Sequence, residues 1–211
     1  MRTINEMLKP RENVFSDTAR EDVLNLTDLA ENRIDANKFF GENFQTQGMT
    51  VLFDTAFARF KGESDTGVIK LTQAMGGGKT HSMLALALLA QNPEIRENLL
   101  GPTYAGIGDI RVVSFSGREN ADFGIWGSIA EQLGKKEFFK DYYSPLKAPG
   151  EKSWVELLKG QKTLILLDEL PPYLENAKSI MVGNSDLSKV TMTALSNLFT
   201  ALGKEQLANV C

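Results

Sequence analysis

Residues 67–81 read GVIKLTQAMGGGKTH. A short β-branched run, Val68–Leu71, enters the glycines Gly76, Gly77 and Gly78, then Lys79 and Thr80, then an Ala/Leu-rich stretch, Thr80–Ala90, of helical character. Strand, glycine turn and helix in this order point to an α/β fold, in which a buried strand hands over to a helix packed on its own sheet. Without Cβ atoms, the backbone N–H groups of the turn can converge on an anion, and the positive end of the helix adds a favourable field. That is the layout of a phosphate-binding loop. It places Lys79 to reach the β- and γ-phosphates of a nucleoside triphosphate and the Thr80 hydroxyl to ligate Mg²⁺. The candidate nucleotide-binding set is therefore Gly76, Gly77, Gly78, Lys79, Thr80 and His81. His81 is the only histidine, and its place in the first helical turn suits packing better than chemistry. One departure stands out: Gln73 occupies the position where the usual pattern has its first glycine.

A partner for this loop lies about 90 residues downstream, in KTLILLDELPPY (162–173). Lys162–Leu167 is continuously apolar after its first residues, as a parallel strand buried on both faces should be. It delivers Asp168 to the sheet edge, where a carboxylate can hold the Mg²⁺ shell through water. Glu169 follows and can polarise an attacking water. Lys79 and Glu169 are the candidate catalytic residues; Thr80 and Asp168 are the candidate metal ligands. Pro171 stands where an Asp-x-x-Gly switch needs glycine, and no Asn-Lys-x-Asp string occurs, so adenine is favoured over guanine as the base.

Between these motifs the pattern alternates. Met49, Leu52, Phe53, Ala56, Phe57 and Phe60 recur at helical spacing, with Gly62 as a stop. Asn92-Pro93 opens a short helix ending at Gly101, Arg111–Ser116 is a second strand, and SGREN beyond it is a turn. Gly124–Leu133 is helical, Lys135–Lys152 reads as an irregular surface insertion, and Ser153 with Glu156 forms a capping-box pattern. Gly183–Asp186 is a loop, after which Asp186 caps a long helix with Leu187, Val190, Ala194, Leu195, Leu198 and Leu202 on its apolar face. The expected architecture is a parallel sheet covered on both faces, with ligands at the carboxyl ends of its strands. Residues 1–34 form a polar extension in which Thr18–Leu29 has a helical face; residues 35–211 form the nucleotide-binding core.

Bulk properties exclude several other classes. Of 211 residues 42% are hydrophobic and 24% charged, enough for one α/β domain with an appendage. A net charge of −4 argues against holding nucleic acid by phosphate neutralisation. The longest apolar run, Met83–Ala90, is far below the roughly 20 residues of a membrane span. The polar N-terminus, which is unlike a signal peptide, and a single cysteine, Cys211, point to the cytoplasm.

Together, FFGENFQTQGM (39–49), GVIKLTQAMGGGKTHSMLALALLA (67–90) and LILLDELPPYLENA (164–177) resemble the N-terminal ATPase region of large bacterial proteins known as the domain-of-unknown-function 499 family. The resemblance spans roughly residues 35–205. It implies a P-loop NTPase three-layer sandwich of the additional-strand, catalytic-glutamate type, similar to AAA+ proteins, with ATP and Mg²⁺ as cofactors. It also implies Phe39–Phe44 near the adenine, assembly into an oligomer, and an association with DNA-modification or phage-defence proteins. Such folds continue past the long helix into a further strand carrying a sensor residue. Ala208–Cys211 resembles the start of that strand, so the chain is expected to be a fragment, C-terminally incomplete. Three functions remain open: an ATP hydrolase driving conformational change, a nucleotide-dependent switch or scaffold with little turnover, and a P-loop small-molecule kinase.

Overall fold

A computed structural model describes residues 24–72, 76–118, 123–144 and 146–211. Residues 1–23 lie outside it, with the first half of the expected Thr18–Leu29 helix, as do Gln73 and the end of the SGREN turn. The described part opens with α1 (Leu26–Ala30), whose start is fixed by Asn25: its side chain accepts from the N–H groups of Thr27 and Asp28. Next come α2 (Ala36–Glu42), capped by Asp35, and α3 (Gln47–Lys61), capped by Thr46 and closed by Gly62 at φ 76°. All six apolar residues expected on the inner face of α3 are buried.

Helix α4 (Lys79–Gln91) follows the glycine loop, and α5 (Pro93–Leu100) follows with proline at its start and Gly101 at its end. A 3₁₀ turn leads into β1 (Arg111–Ser116). Then come α6 (Gly124–Gln132), a 3₁₀ helix at Lys136–Tyr142, and α7 (Glu151–Leu158). Strand β2 (Thr163–Asp168) precedes α8 (Leu170–Ala177), and a hairpin of β3 (Met181–Val182) and β4 (Ser185–Asp186) leads into α9 (Leu187–Leu202). Asp186 caps α9, accepting from the Lys189 N–H.

Strands β1 and β2 pair in parallel, from Arg111 opposite Thr163 to Ser116 opposite Asp168. Their side chains alternate between faces, as the pleat requires. Val112, Leu164 and Leu166 join the core built from α1 to α5; Val113, Phe115, Ile165 and Leu167 join the core built from α6 to α9. The fold is mixed α/β, with helices on both faces of a small parallel sheet.

Four local expectations need correction. Val68–Leu71 is not a strand: among the described residues it makes no backbone hydrogen bond. One edge of β2 carries β1, and the other is met by Val210 and Cys211: Cys211 N–H donates to Thr163 O and Ile165 N–H to Cys211 O. Among the described residues no laddered neighbour reaches 68–71, and a strand exists only through its partner. Ile69 and Leu71 pack on the first core instead, while Val68 is 46% exposed.

The stretch Lys135–Lys152 is no surface insertion. Its 3₁₀ helix buries Phe139 completely, edge-on to Trp154 at 5.4 Å. Helix α7 starts at Glu151 after Gly150, so Ser153 lies inside it; its hydroxyl pairs with Tyr142 Oη at 2.7 Å rather than capping. Gly183–Asp186 belongs to a hairpin, made possible by Gly183 at φ 59° in the two-residue turn.

Arg59 ties α3 to the end of α9 and the segment after it. It is buried on the otherwise apolar face of α3 and donates to the carbonyls of Leu202, Leu207 and Val210 at 2.7, 2.9 and 3.3 Å. Gly67 abuts this junction: a Cβ there would lie 3.1 Å from Leu202 Cβ and 3.2 Å from Arg59 Nη2.

Candidate functional site

The site is assembled at the carboxyl ends of β1 and β2 by the N-terminus of α4. Gly76 and Gly78 adopt φ of 76° and 77°, and no other group lies near where their Cβ atoms would be. Glycine is therefore demanded here by backbone conformation rather than crowding. Gly78 is the residue before α4, and its carbonyl accepts both the N–H and the hydroxyl of Ser82, at 2.8 and 2.9 Å. Lys79 and Thr80 form the first turn, both half-buried. Gly77 is exposed at the loop crest.

Thr80 Oγ1 donates to Asp168 Oδ2 at 2.6 Å. The other carboxylate oxygen, Oδ1, accepts from the Glu169 N–H at 2.9 Å. One carboxylate thus joins the glycine-loop helix to the strand end 88 residues away and also fixes the turn that follows it. Hydroxyl and carboxylate oxygens suit a small hard cation that retains several waters. Among the described residues no group of three or more His, Cys, Asp and Glu side chains converges on one point. A divalent ion at this place would draw on Thr80 and Asp168.

Glu169 stands in the left-handed region, φ 53° and ψ 35°, as the residue before α8. A non-glycine residue there is strained, of order 1–2 kcal/mol. Its carboxylate forms an ion pair with the guanidinium of Arg118, which follows β1 by two residues. The pairing favours the charged Arg118, whose pKa is raised chiefly by its hydrogen bond to Glu169. Arg118 is 80% exposed, so the pair is a solvated one. Neither Gly117 nor Arg118 stands out in the sequence beyond a turn after a strand. The available signal was a Gly-Arg pair following the strand that neighbours the acidic one.

His81 packs on an aromatic ring. Its ring stacks on Phe39 of α2 at 4.8 Å with 27° between planes. Phe39 is buried and meets Phe40 edge-on at 5.2 Å, whereas Phe44 is 86% exposed. The aromatic segment therefore splits: Phe39 braces the first turn of α4, and Phe44 stands clear in solvent. A cavity of about 350 Å³ lies elsewhere, between the loop after α1 and the far end of α4, lined by Leu29, Asn32, Ile34, Ala36, Leu88, Gln91 and Asn92. It sits at the opposite end of a 13-residue helix from the glycine loop, roughly 20 Å along its axis.

Among the described residues no helix is long and apolar enough to cross a membrane. Residues 122–211 match the family model described as the DUF499 N-terminal domain. The matched span holds Asp168 and Glu169 but not the glycine loop, so it covers only the second half of the expected 35–205 resemblance. No curated protein and no solved structure matches the chain.

Proposed function

We propose that this chain is a P-loop nucleotide-binding module that hydrolyses ATP with Mg²⁺ and passes the conformational change to a larger assembly. The observation that carries the reading is the 2.6 Å contact between Thr80 and Asp168. Two motifs chosen from sequence for complementary roles meet at one point, at the strand ends where ligands of open parallel sheets bind. In this reading the fold is the P-loop three-layer sandwich with a parallel sheet. The left-handed backbone at Gly76 and Gly78 frees N–H groups to face phosphate oxygens. Lys79 supplies positive charge, and Thr80 with Asp168 holds the Mg²⁺, which when bound neutralises charge on the β- and γ-phosphate oxygens. Glu169 orients water and accepts its proton. Oligomerisation, and partners in DNA modification or phage defence, rest on the family resemblance alone.

A second reading, an ATP-dependent switch with little turnover, is favoured by one contact: the Glu169 carboxylate is engaged by Arg118. A carboxylate held by a guanidinium is turned away from the work of orienting water. Titration of the full-length protein with MgATP, together with phosphate release, separates the two. Lys79→Ala should weaken ATP binding at least about tenfold, the loss of one charge-assisted contact. Glu169→Gln should keep binding and lower turnover by about 10²-fold or more. Unchanged binding in Lys79→Ala refutes the loop assignment. Saturable binding without phosphate release from the wild type selects the switch.

A further inference from the structure

Glu169 is strained, and the reason it stays so lies on the neighbouring strand. Gly117 directly follows β1, and its N–H donates to the Asp168 carbonyl at 2.9 Å, extending the β1–β2 ladder by one bond. A Cβ at position 117 would lie 1.9 Å from the Glu169 carbonyl oxygen, 2.7 Å from its carbonyl carbon and 3.0 Å from Tyr173 Cβ. Two of these three atoms are backbone, at the first turn of α8, and cannot swing aside. Gly117 shows no left-handed φ of its own. Glycine is thus needed here to admit the Glu169 turn rather than to relieve its own backbone.

We propose that Gly117 is a positioning residue for Glu169: its missing side chain creates the slot in which the strained turn after β2 rests. The inference deepens the ATPase reading and rests on it for its catalytic part. Three restraints act on this one residue. The Asp168 carboxylate holds its N–H, Gly117 admits its carbonyl, and Arg118 holds its carboxylate. Strain concentrated on a single acidic residue at the end of a buried strand is what a precisely aimed side chain requires. A methyl group at 117 would displace the Glu169 backbone, and the three atoms nearest to it belong to Glu169 and Tyr173, not to Thr80 or the glycine loop.

The test uses the full-length protein with MgATP and two thermodynamic cycles. In the first, Gly117→Ala should leave the MgATP dissociation constant unchanged and lower kcat on the order of 10²-fold, as for an ångström-scale misplacement. In a Glu169→Gln background the same substitution should lower kcat no further, because the residue it acts through is already disabled. In the second, read by thermal melting, Gly117→Ala should lower Tm. Glu169→Gly should raise Tm more in the Gly117→Ala background than in the wild type, where it relieves only the left-handed φ, since glycine lets the displaced turn relax. This melting cycle needs no turnover, so it decides the coupling even if the wild type proves to be a switch. It also decides if Gly117→Ala alone fails to fold, because the double variant then either refolds or does not. Wild-type kcat in Gly117→Ala, a further loss on Glu169→Gln, weakened MgATP binding, or a Tm gain from Glu169→Gly no larger in the Gly117→Ala background than in the wild type would each overturn the proposal.

Discussion

Replacing Arg59 with methionine should unfasten the junction between α3 and the segment that follows α9. Methionine has similar length and suits an apolar site, so the cavity left behind is small. What disappears is the donor set. The carbonyls of Leu202, Leu207 and Val210 each lose a charge-assisted hydrogen bond, and all three residues are buried. A buried acceptor left unsatisfied costs about 1–3 kcal/mol. The Leu207 carbonyl keeps the Val210 N–H, so two acceptors, those of Leu202 and Val210, are left open, together about 2–4 kcal/mol after partial relaxation. Against a typical domain stability of about 5–15 kcal/mol that is a large fraction. At roughly 2–4 °C per kcal/mol for a chain this size, Tm should fall by about 10 °C. Urea unfolding of wild type and Arg59→Met, with Arg59→Lys as a control that keeps charge but not the fork, measures it. Arg59→Lys should fall between the two. A loss under about 1 kcal/mol in Arg59→Met would show that the carbonyls find other donors, and would refute the role assigned to the guanidinium.

Three further outcomes are expected. Thr163 is buried in β2 and its hydroxyl has no hydrogen-bond partner, so Thr163→Val should stabilise the fold by about 1 kcal/mol in the same urea assay. Burial pushes the Cys211 thiol up to about 11, with Arg59 opposing the shift. The folded value lies above the unfolded one, near 9, so the thiol's contribution to stability is complete below pH 9 and is lost as pH rises toward 11; a thiol reagent at pH 8 should modify Cys211 far more slowly in the folded protein than in urea. The Asp186 carboxyl is depressed, chiefly by the Lys189 N–H it accepts at the start of α9. Its contribution is present above the ordinary carboxylate range and disappears as pH falls through the folded value, and Asp186→Ala should flatten the melting-temperature profile there.

Local pattern in the chain was enough for most of the helices and for the two strings, Gly76–Thr80 and Asp168–Glu169, that meet at the candidate site. Helical period placed the buried face of α3, a continuous apolar run placed β2, and turn chemistry placed Gly62, Gly101 and the Asp186 cap. These signals are short-range: each depends on residues a few positions apart. Gly76–Thr80 and Asp168–Glu169 were recognisable for the same reason, as strings whose spacing suits a phosphate and a cation. Packing settled the rest. Val68–Leu71 has the residues of a strand but no laddered neighbour among the described residues, and β propensity without a partner does not make one. Ser153 looked like a cap, yet Gly150 starts the helix earlier and Tyr142 takes the hydroxyl. Thr80 meets Asp168 across 88 positions, Arg118 meets Glu169 across 51, and Arg59 meets Leu202 across 143. Composition and periodicity do not encode such meetings, because they arise from how two cores close on one small sheet. The residue types of the candidate site were written in the chain; the strained φ of Glu169 and the slot beside Gly117 came only from the folded arrangement of β1 and β2.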